Sequence, residues 1–314
     1  MKTLLRSFVL LPLMAAMLLV SSCGGGGGTA ALIFQILVAD FGADRIAGFD
    51  DMTGAGWTTF GTTGSGVGQF NGPYKIAVDA QGRIYIADYN GNRIIRMNDM
   101  TGAGWVEFAT AGSARGLAFD SLGRIYFTTD NDNVTRVDNM AGANLVTFGT
   151  SGNGVGEFTE PTGITIDAAD RIHVCDSVND RIVRFDDMSG TAWTSFGTGG
   201  TGAGEFNYPA SLAFDSSNRI IVSDYTNSRV VRIDDMAGGG WASIGTPGNG
   251  VGEFTNPESI VIDPATGHLY VIDTNNDRLV RTDGFTLTGW VSFGTTGTGV
   301  GQFDQAYGVA LVLP

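Results

Sequence analysis

Five ten-residue stretches carry the glycine texture of a phosphate-binding loop: GTTGSGVGQF at Gly61, GTSGNGVGEF at Gly149, GTGGTGAGEF at Gly197, GTPGNGVGEF at Gly245 and GTTGTGVGQF at Gly294. A phosphate loop leads from a strand into a helix and, in its Walker form, carries G-K-[ST]. None of the five copies has that lysine, and each leads through a phenylalanine, usually followed by a proline, into another strand-like run. The glycines therefore read as turn residues that supply positive φ. Carboxylates are the second candidate chemistry. Asp40, Asp88, Asp130, Asp176, Asp224 and Asp273 each end a β-branched run, and Arg45, Arg93, Arg181, Arg229 and Arg278 follow five positions after five of them. Such an acidic ring either fixes hairpins by pairing with its arginines or lends part of itself to a divalent cation. A feature present in every repeat serves the fold, whereas a unique site must break the pattern, so the ring is read as structural.

The remaining reactive side chains are few. His173 stands where other repeats have Tyr85, Tyr126 and Tyr270 and reads as a packing residue; His268, in the turn TGHLY, takes the place of Arg83 and reads as solvated. They fall at different repeat positions and do not converge. Cys175 aligns with Ala87, a small buried position without the basic neighbourhood that activates a thiol. No G-x-S-x-G, H-E-x-x-H or EF-hand loop occurs, so no catalytic residue, metal ligand set or cofactor is assigned, a divalent cation at the acidic ring being the alternative. Trp57, Trp105, Trp193, Trp241 and Trp290 open a fourth run in each repeat, with Leu145 in the deviant one; they read as packing, or as platforms for sugars or a partner.

The elements that must position these residues come from a repeat. Pro73 to Phe108 returns as Pro161 to Phe196, as Pro209 to Ile244 and as Pro257 to Phe293, with a shortened copy ending at Phe148. Trp57 to Trp105 and Trp193 to Trp241 are each 48 residues, and Trp241 to Trp290 is 49. Each unit holds four short alternating runs, as in IAVD, RIYIAD, RIIRM and WVEF, separated by turn residues. A four-stranded meander of that length cannot bury both faces alone, so the units stack radially as propeller blades. The chain enters at ILVAD (Ile36 to Asp40), a second run without an innermost one, and ends at YGVALVLP (Tyr307 to Pro314), an innermost run without a blade. The expectation is an all-β, six-bladed propeller with four-stranded antiparallel blades, closed by the C-terminal strand joining the N-terminal blade.

Units of the form G-x-G-x-G-x-F-x-x-P-x-x-I-x-x-D, then I-x-x-x-D-x-x-N-x-R-I, resemble NHL repeats over most of the chain after Ile33. That resemblance implies an NHL-like propeller. It leaves function open, because such propellers serve as protein-binding, RNA-binding or sensor modules and, in a minority, as metal-dependent lyases. It also implies that the glycine crossings and the second-to-third strand loops share one face. That face is notched at the third blade, where Phe108 to Asp120 spans 12 positions against 19 from Phe60 to Asp79, and where the loop DNDN from Asp130 is two residues shorter. Tyr74, Arg115, Thr162, Ala210, Glu258 and Tyr307 then begin the innermost strands around the channel mouth. Their diversity against a uniform frame marks Tyr74, Arg115, Thr162, Glu258 and Tyr307 as ligand-binding candidates.

The N-terminus gives an address. Residues 1–22 have a basic start and an apolar run from Leu10 to Val20, the pattern of a signal peptide and too short to span a bilayer comfortably. Val20-Ser21-Ser22-Cys23 resembles the lipobox of bacterial lipoproteins, which implies leader removal and lipid attachment at Cys23; Gly24 after it favours the outer membrane. Residues 23–31 then form a glycine-rich tether and 32–314 the propeller. Without the leader's Lys2 and Arg6, 16 basic residues face 32 acidic ones, a net charge of −16 that repels nucleic acid and anionic lipid. With Cys175 the one other cysteine, no intramolecular disulfide is expected. The expectation is a lipid-anchored, monomeric cell-envelope module that binds a protein or glycan; the alternative is a metal-dependent lyase or hydrolase at the channel mouth.

Overall fold

Runs of five or six β-branched and aromatic residues, bounded by Asp, Gly and Asn, form strands too short to stand alone. In the computed structural model, which describes residues 34–314, they assemble into six four-stranded antiparallel sheets. The leader, Cys23 and the tether lie outside the described residues. Blade 2 shows the plan: inner strand Pro73–Val78, second strand Ile84–Asp88, third strand Arg93–Met97 and outer strand Val106–Ala109, hydrogen-bonded in that order. The other inner strands are Ala114–Phe119, Pro161–Ile166, Pro209–Phe214 and Pro257–Ile262 in blades 3 to 6. Blade 1 takes its inner strand, Ala306–Val312, from the C-terminus, paired antiparallel with Gln35–Asp40.

Every second strand is buried along its length, as in IYIAD and IHVCD, because blades cover both faces of each sheet. The core is accordingly divided into six clusters, one between each pair of neighbouring blades. Phe70, Phe158, Phe206, Phe254 and Phe303, the last residues of the five glycine crossings, are fully buried in five of these clusters. Four of the crossings form a two-residue parallel ladder on themselves, such as Thr62–Thr63 with Gln69–Phe70, and the fifth a single parallel bridge, Thr296 to Phe303. Gly61 and Gly64 enter it at φ 114° and 147°, backbone that a side chain resists.

The five Asp–Arg pairs hold these crossings. Arg45, Arg93, Arg181, Arg229 and Arg278 lie 2.7–2.8 Å through Nε from Asp40, Asp88, Asp176, Asp224 and Asp273, all five carboxylates being fully buried. Each guanidinium also donates to two or three carbonyls of the glycine crossing that leads into its blade, as Arg93 does to Ser65 and Gln69 and Arg229 to Thr201, Gly202 and Glu205. The other oxygen of each aspartate accepts the amide just past the crossing, as Asp88 does from Asn71 at 2.7 Å. The arginines further lie over the tryptophans at 5.5–6.0 Å, and Trp57 and Trp193 stack on Phe49 and Phe185, so all five tryptophans are half-buried packing residues.

Blade 3 corrects one expected position. Its second strand is Ile125–Thr129, and Thr129 occupies the register slot that Asp88 and Asp176 hold opposite a proline. Asp130 therefore lies one residue past the strand end and is exposed, with no arginine partner; its Oδ1 accepts the Ser113 amide at 2.8 Å. Thr129 instead donates to Asn133 at 3.0 Å. The second-to-third strand loop is then one residue shorter than in blade 2, not two: residues 130–132 against 89–92.

Candidate functional site

The inner strands start at the face that carries the glycine crossings, and the residues at their starts meet around the channel mouth. Tyr74 and Tyr307 stack with ring centroids 4.8 Å apart, and Phe41 lies edge-on to both. Tyr89 joins this cluster 5.6 Å from Tyr74. The Tyr74 hydroxyl reaches across the channel to donate to Glu258, which is buried and whose carboxyl is pushed up by that burial.

Arg115 occupies the notch. The crossing between blades 2 and 3 is reduced to residues 110–113, against residues 61–72 between blades 1 and 2. Arg115 Nη1 donates to the Tyr208 hydroxyl at 3.2 Å and lies 3.4 Å from Glu160, while Nη2 donates to the Tyr89 hydroxyl at 3.2 Å. Its guanidinium sits 5.4 Å over the Tyr89 ring, and its buried Nε has no partner. Tyr208 in turn donates to Glu160 at 3.0 Å and packs against Tyr225. The result is a cation set among hydroxyls and rings, adapted to recognition by stacking and directed hydrogen bonds.

Tyr74, Arg115, Glu258 and Tyr307 are thus brought into one cluster. Thr162 is corrected: it is buried, with Oγ1 in contact with Ser177 Oγ at 2.6 Å and the Ala210 carbonyl at 2.8 Å. Its hydroxyl closes a gap between inner strands instead of facing a ligand. Sequence reading missed Phe41, Tyr89, Tyr208, Tyr225, Glu160 and Lys75. Phe41, Tyr89 and Tyr225 follow ring aspartates, and Glu160 and Tyr208 precede inner-strand prolines. Those slots vary between blades as strongly as the ring position does, which is the signal that could have found them.

Below the mouth, the Lys75 ammonium crosses to opposite blades and donates to Ser259 Oγ at 2.7 Å and Ser211 Oγ at 3.1 Å. Burial lowers its pKa to about 8, so at neutral pH it is mostly charged and ties inner strands together across the channel. A cavity of about 260 Å³ follows beneath it, walled by the inner strands. At the outer edge of the blades, where Gly68 and Gly156 lie against Phe60 and Phe148 at the ends of outer strands, the tips of four glycine crossings expose Val67, Val155, Val251 and Val300 to 75–80%.

The ring aspartates do not converge, since five of the six are each engaged by their own blade's arginine and crossing and Asp130 by the Ser113 amide. Burial holds the Asp40 carboxyl up at about 6 against the Asp304 amide and Arg45. No group of three His, Cys, Asp or Glu side chains among the described residues is arranged to hold a metal ion.

Comparison with known proteins agrees with this architecture. An NHL-repeat model matches residues 70–96, and a family described as 6-bladed beta-propeller matches residues 206–289. The chain is a six-bladed β-propeller that carries an NHL repeat. No curated protein matches its sequence. Among solved structures, a chain of a nidogen/laminin complex is 18% identical with a TM-score of 0.68, the match covering 89% of this propeller chain and 98% of that one. A catalytically inactive virginiamycin B lyase from Staphylococcus aureus, solved with quinupristin, is 15% identical at a TM-score of 0.55, covering 79% and 76%. A protein of unknown function from Bacteroides caccae is 12% identical at 0.63, covering 89% and 99%. At these identities the likeness is one of fold alone.

Proposed function

We propose that this propeller is a non-enzymatic binding or scaffold module, lipid-anchored through Cys23 in the bacterial cell envelope at the outer membrane, whose notched face takes a protein or glycan ligand. The observation that carries the reading is Arg115, set in the gap of the missing crossing with Tyr89, Tyr208 and Glu160 around it. Tyrosine and arginine are the residues that dominate recognition sites, because they present large, rigid area with polar edges. The exposed valines at the crossing tips add apolar surface to the outer rim of the crossings: they contribute nothing to the core, yet recur in four of the five. A chain of the same fold in a nidogen/laminin complex lends support to a protein ligand. The glycine tether, residues 24–28, suits a domain held at a membrane but free to turn.

The test is capture from native envelope extract on the immobilised protein. A specific ligand is expected on the unaltered protein and a loss of tenfold or more with Arg115→Ala or Tyr307→Ala; equal retention by both variants would remove the mouth from the reading. Metal analysis of the same preparation addresses the lyase or hydrolase alternative. A tightly held stoichiometric metal that is lost in Glu258→Gln would replace the binding-only reading.

A further inference from the structure

A second cavity lies on the opposite face, between blades 5 and 6, and it marks a break in a different part of the repeat. In blades 2 to 5 the hairpin between inner and second strands is closed by an aspartate paired to an arginine four residues on: Asp79–Arg83, Asp120–Arg124, Asp167–Arg171 and Asp215–Arg219, at 2.5–2.7 Å. Blade 6 keeps the aspartate, Asp263, but not the arginine. His268 stands in that place, one residue further along, and turns its Nε2 to Asp283 at 3.4 Å. Asp263, nearly fully buried, is left with only the Ala265 amide and the Thr266 hydroxyl.

The space beside it is open for a steric reason. Between blades 4 and 5, His173 packs edge-on to Phe214 with centroids 5.0 Å apart, and the equivalent cavity measures only about 60 Å³. Between blades 2 and 3, Tyr85 and Phe119 fill the same place. Between blades 5 and 6 both positions are aliphatic, Ile221 and Ile262, and the cavity grows to about 420 Å³, within the range of small-ligand sites. Phe285 also replaces the methionine of the other blades, Met236 in blade 5, and lies over Arg232 at 4.9 Å, giving the cavity an aromatic wall. Three carboxylates line it, Asp215, Asp263 and Asp283, against one arginine, Arg219, which is already paired to Asp215.

We propose that this cavity is a binding site for a small organic cation with an apolar body, its ammonium or guanidinium head standing in for the missing arginine beside Asp263 and Asp283. The apolar part lies against Ile221, Ile262 and Phe285, where burial supplies affinity. The site is independent of the channel mouth, so failure of either reading leaves the other standing.

Phenethylammonium is the probe, with 2-phenylethanol and phenylacetate as its neutral and anionic counterparts, measured by saturation-transfer NMR and calorimetry on the full chain. Saturable 1:1 binding of the cation is expected, at least tenfold tighter than either counterpart. Ile221→Tyr, which restores the residue of blades 2, 3 and 6, should abolish it, and Asp263→Asn should weaken it tenfold or more. Arg115→Ala on the other face should leave it unchanged. Thermal melts identify the folded variants, and Ile221→Tyr alone decides the matter if Asp263→Asn does not fold. Equal affinity for the three probes, no saturable binding, or undiminished binding in folded Ile221→Tyr would overturn the proposal.

Discussion

Burial and one hydrogen bond decide how His173 titrates. It is 3% exposed, Nε2 lies 3.1 Å from Asp167 Oδ2, and burial lowers its pKa from 6.5 to about 4 despite that carboxylate. Because the folded value lies below the unfolded one, the unfolded chain takes up the proton first on acidification, and this site loses stability as pH falls from about 6.5 to 4. Tyrosine fits the same slot in blade 3, where Tyr126 donates to Asp120 at 3.1 Å. His173→Tyr should therefore gain about 2 kcal/mol over the parent at pH 4.5 relative to pH 7, read from urea unfolding at both pH values; an unchanged difference would show that the imidazole is not the acid-labile group. The packing role of His173 was legible because three tyrosines share its place. Lys75 was not: its neighbours Ser211 and Ser259 lie 136 and 184 residues away and meet it only across the closed channel.

A glycine crossing, its terminal phenylalanine, the ring aspartate, the i+5 arginine and the tryptophan form one unit. Blade 3 lacks all five together: residues 110–113 replace the crossing, Thr129 and Asn133 the ion pair, and the exposed Leu145 the tryptophan. The arginine's carbonyl contacts explain this, since without the crossing its Nη groups would have no carbonyls to bind and a buried guanidinium is costly. Arg229→Leu should thus cost about 3–5 kcal/mol by leaving Asp224 buried and uncompensated, and should speed amide exchange over residues 197–206. Asn133→Ala, at the same place in blade 3, should cost about 1 kcal/mol; equal losses for the two would refute the unit. The repeat and its gap were readable from spacing alone. The true place of Asp130 was not, because a one-residue offset at a strand end shows only in the register of its partner strand.

At the scale of the molecule, six blades and their closure were legible because the first and last runs complement each other in the repeat. The mouth was only half legible, since four of the five named candidates meet there while its loop-borne tyrosines escaped notice. The proposed anchor makes its own prediction: labelled fatty acid incorporation and membrane partition of the full chain should both be lost in Cys23→Ala, and unchanged incorporation would rule out the lipoprotein reading. Closure also governs when the fold can exist at all. Among the described strands of the propeller, Gln35–Asp40 is the first to be synthesised and its inner partner, Ala306–Val312, is the last. A chain growing from its N-terminus therefore holds blade 1 with an unpaired inner edge until Ala306–Val312 is delivered. The ring locks only once that strand is made, and a truncation that removes Ala306–Val312 opens the N-terminal blade.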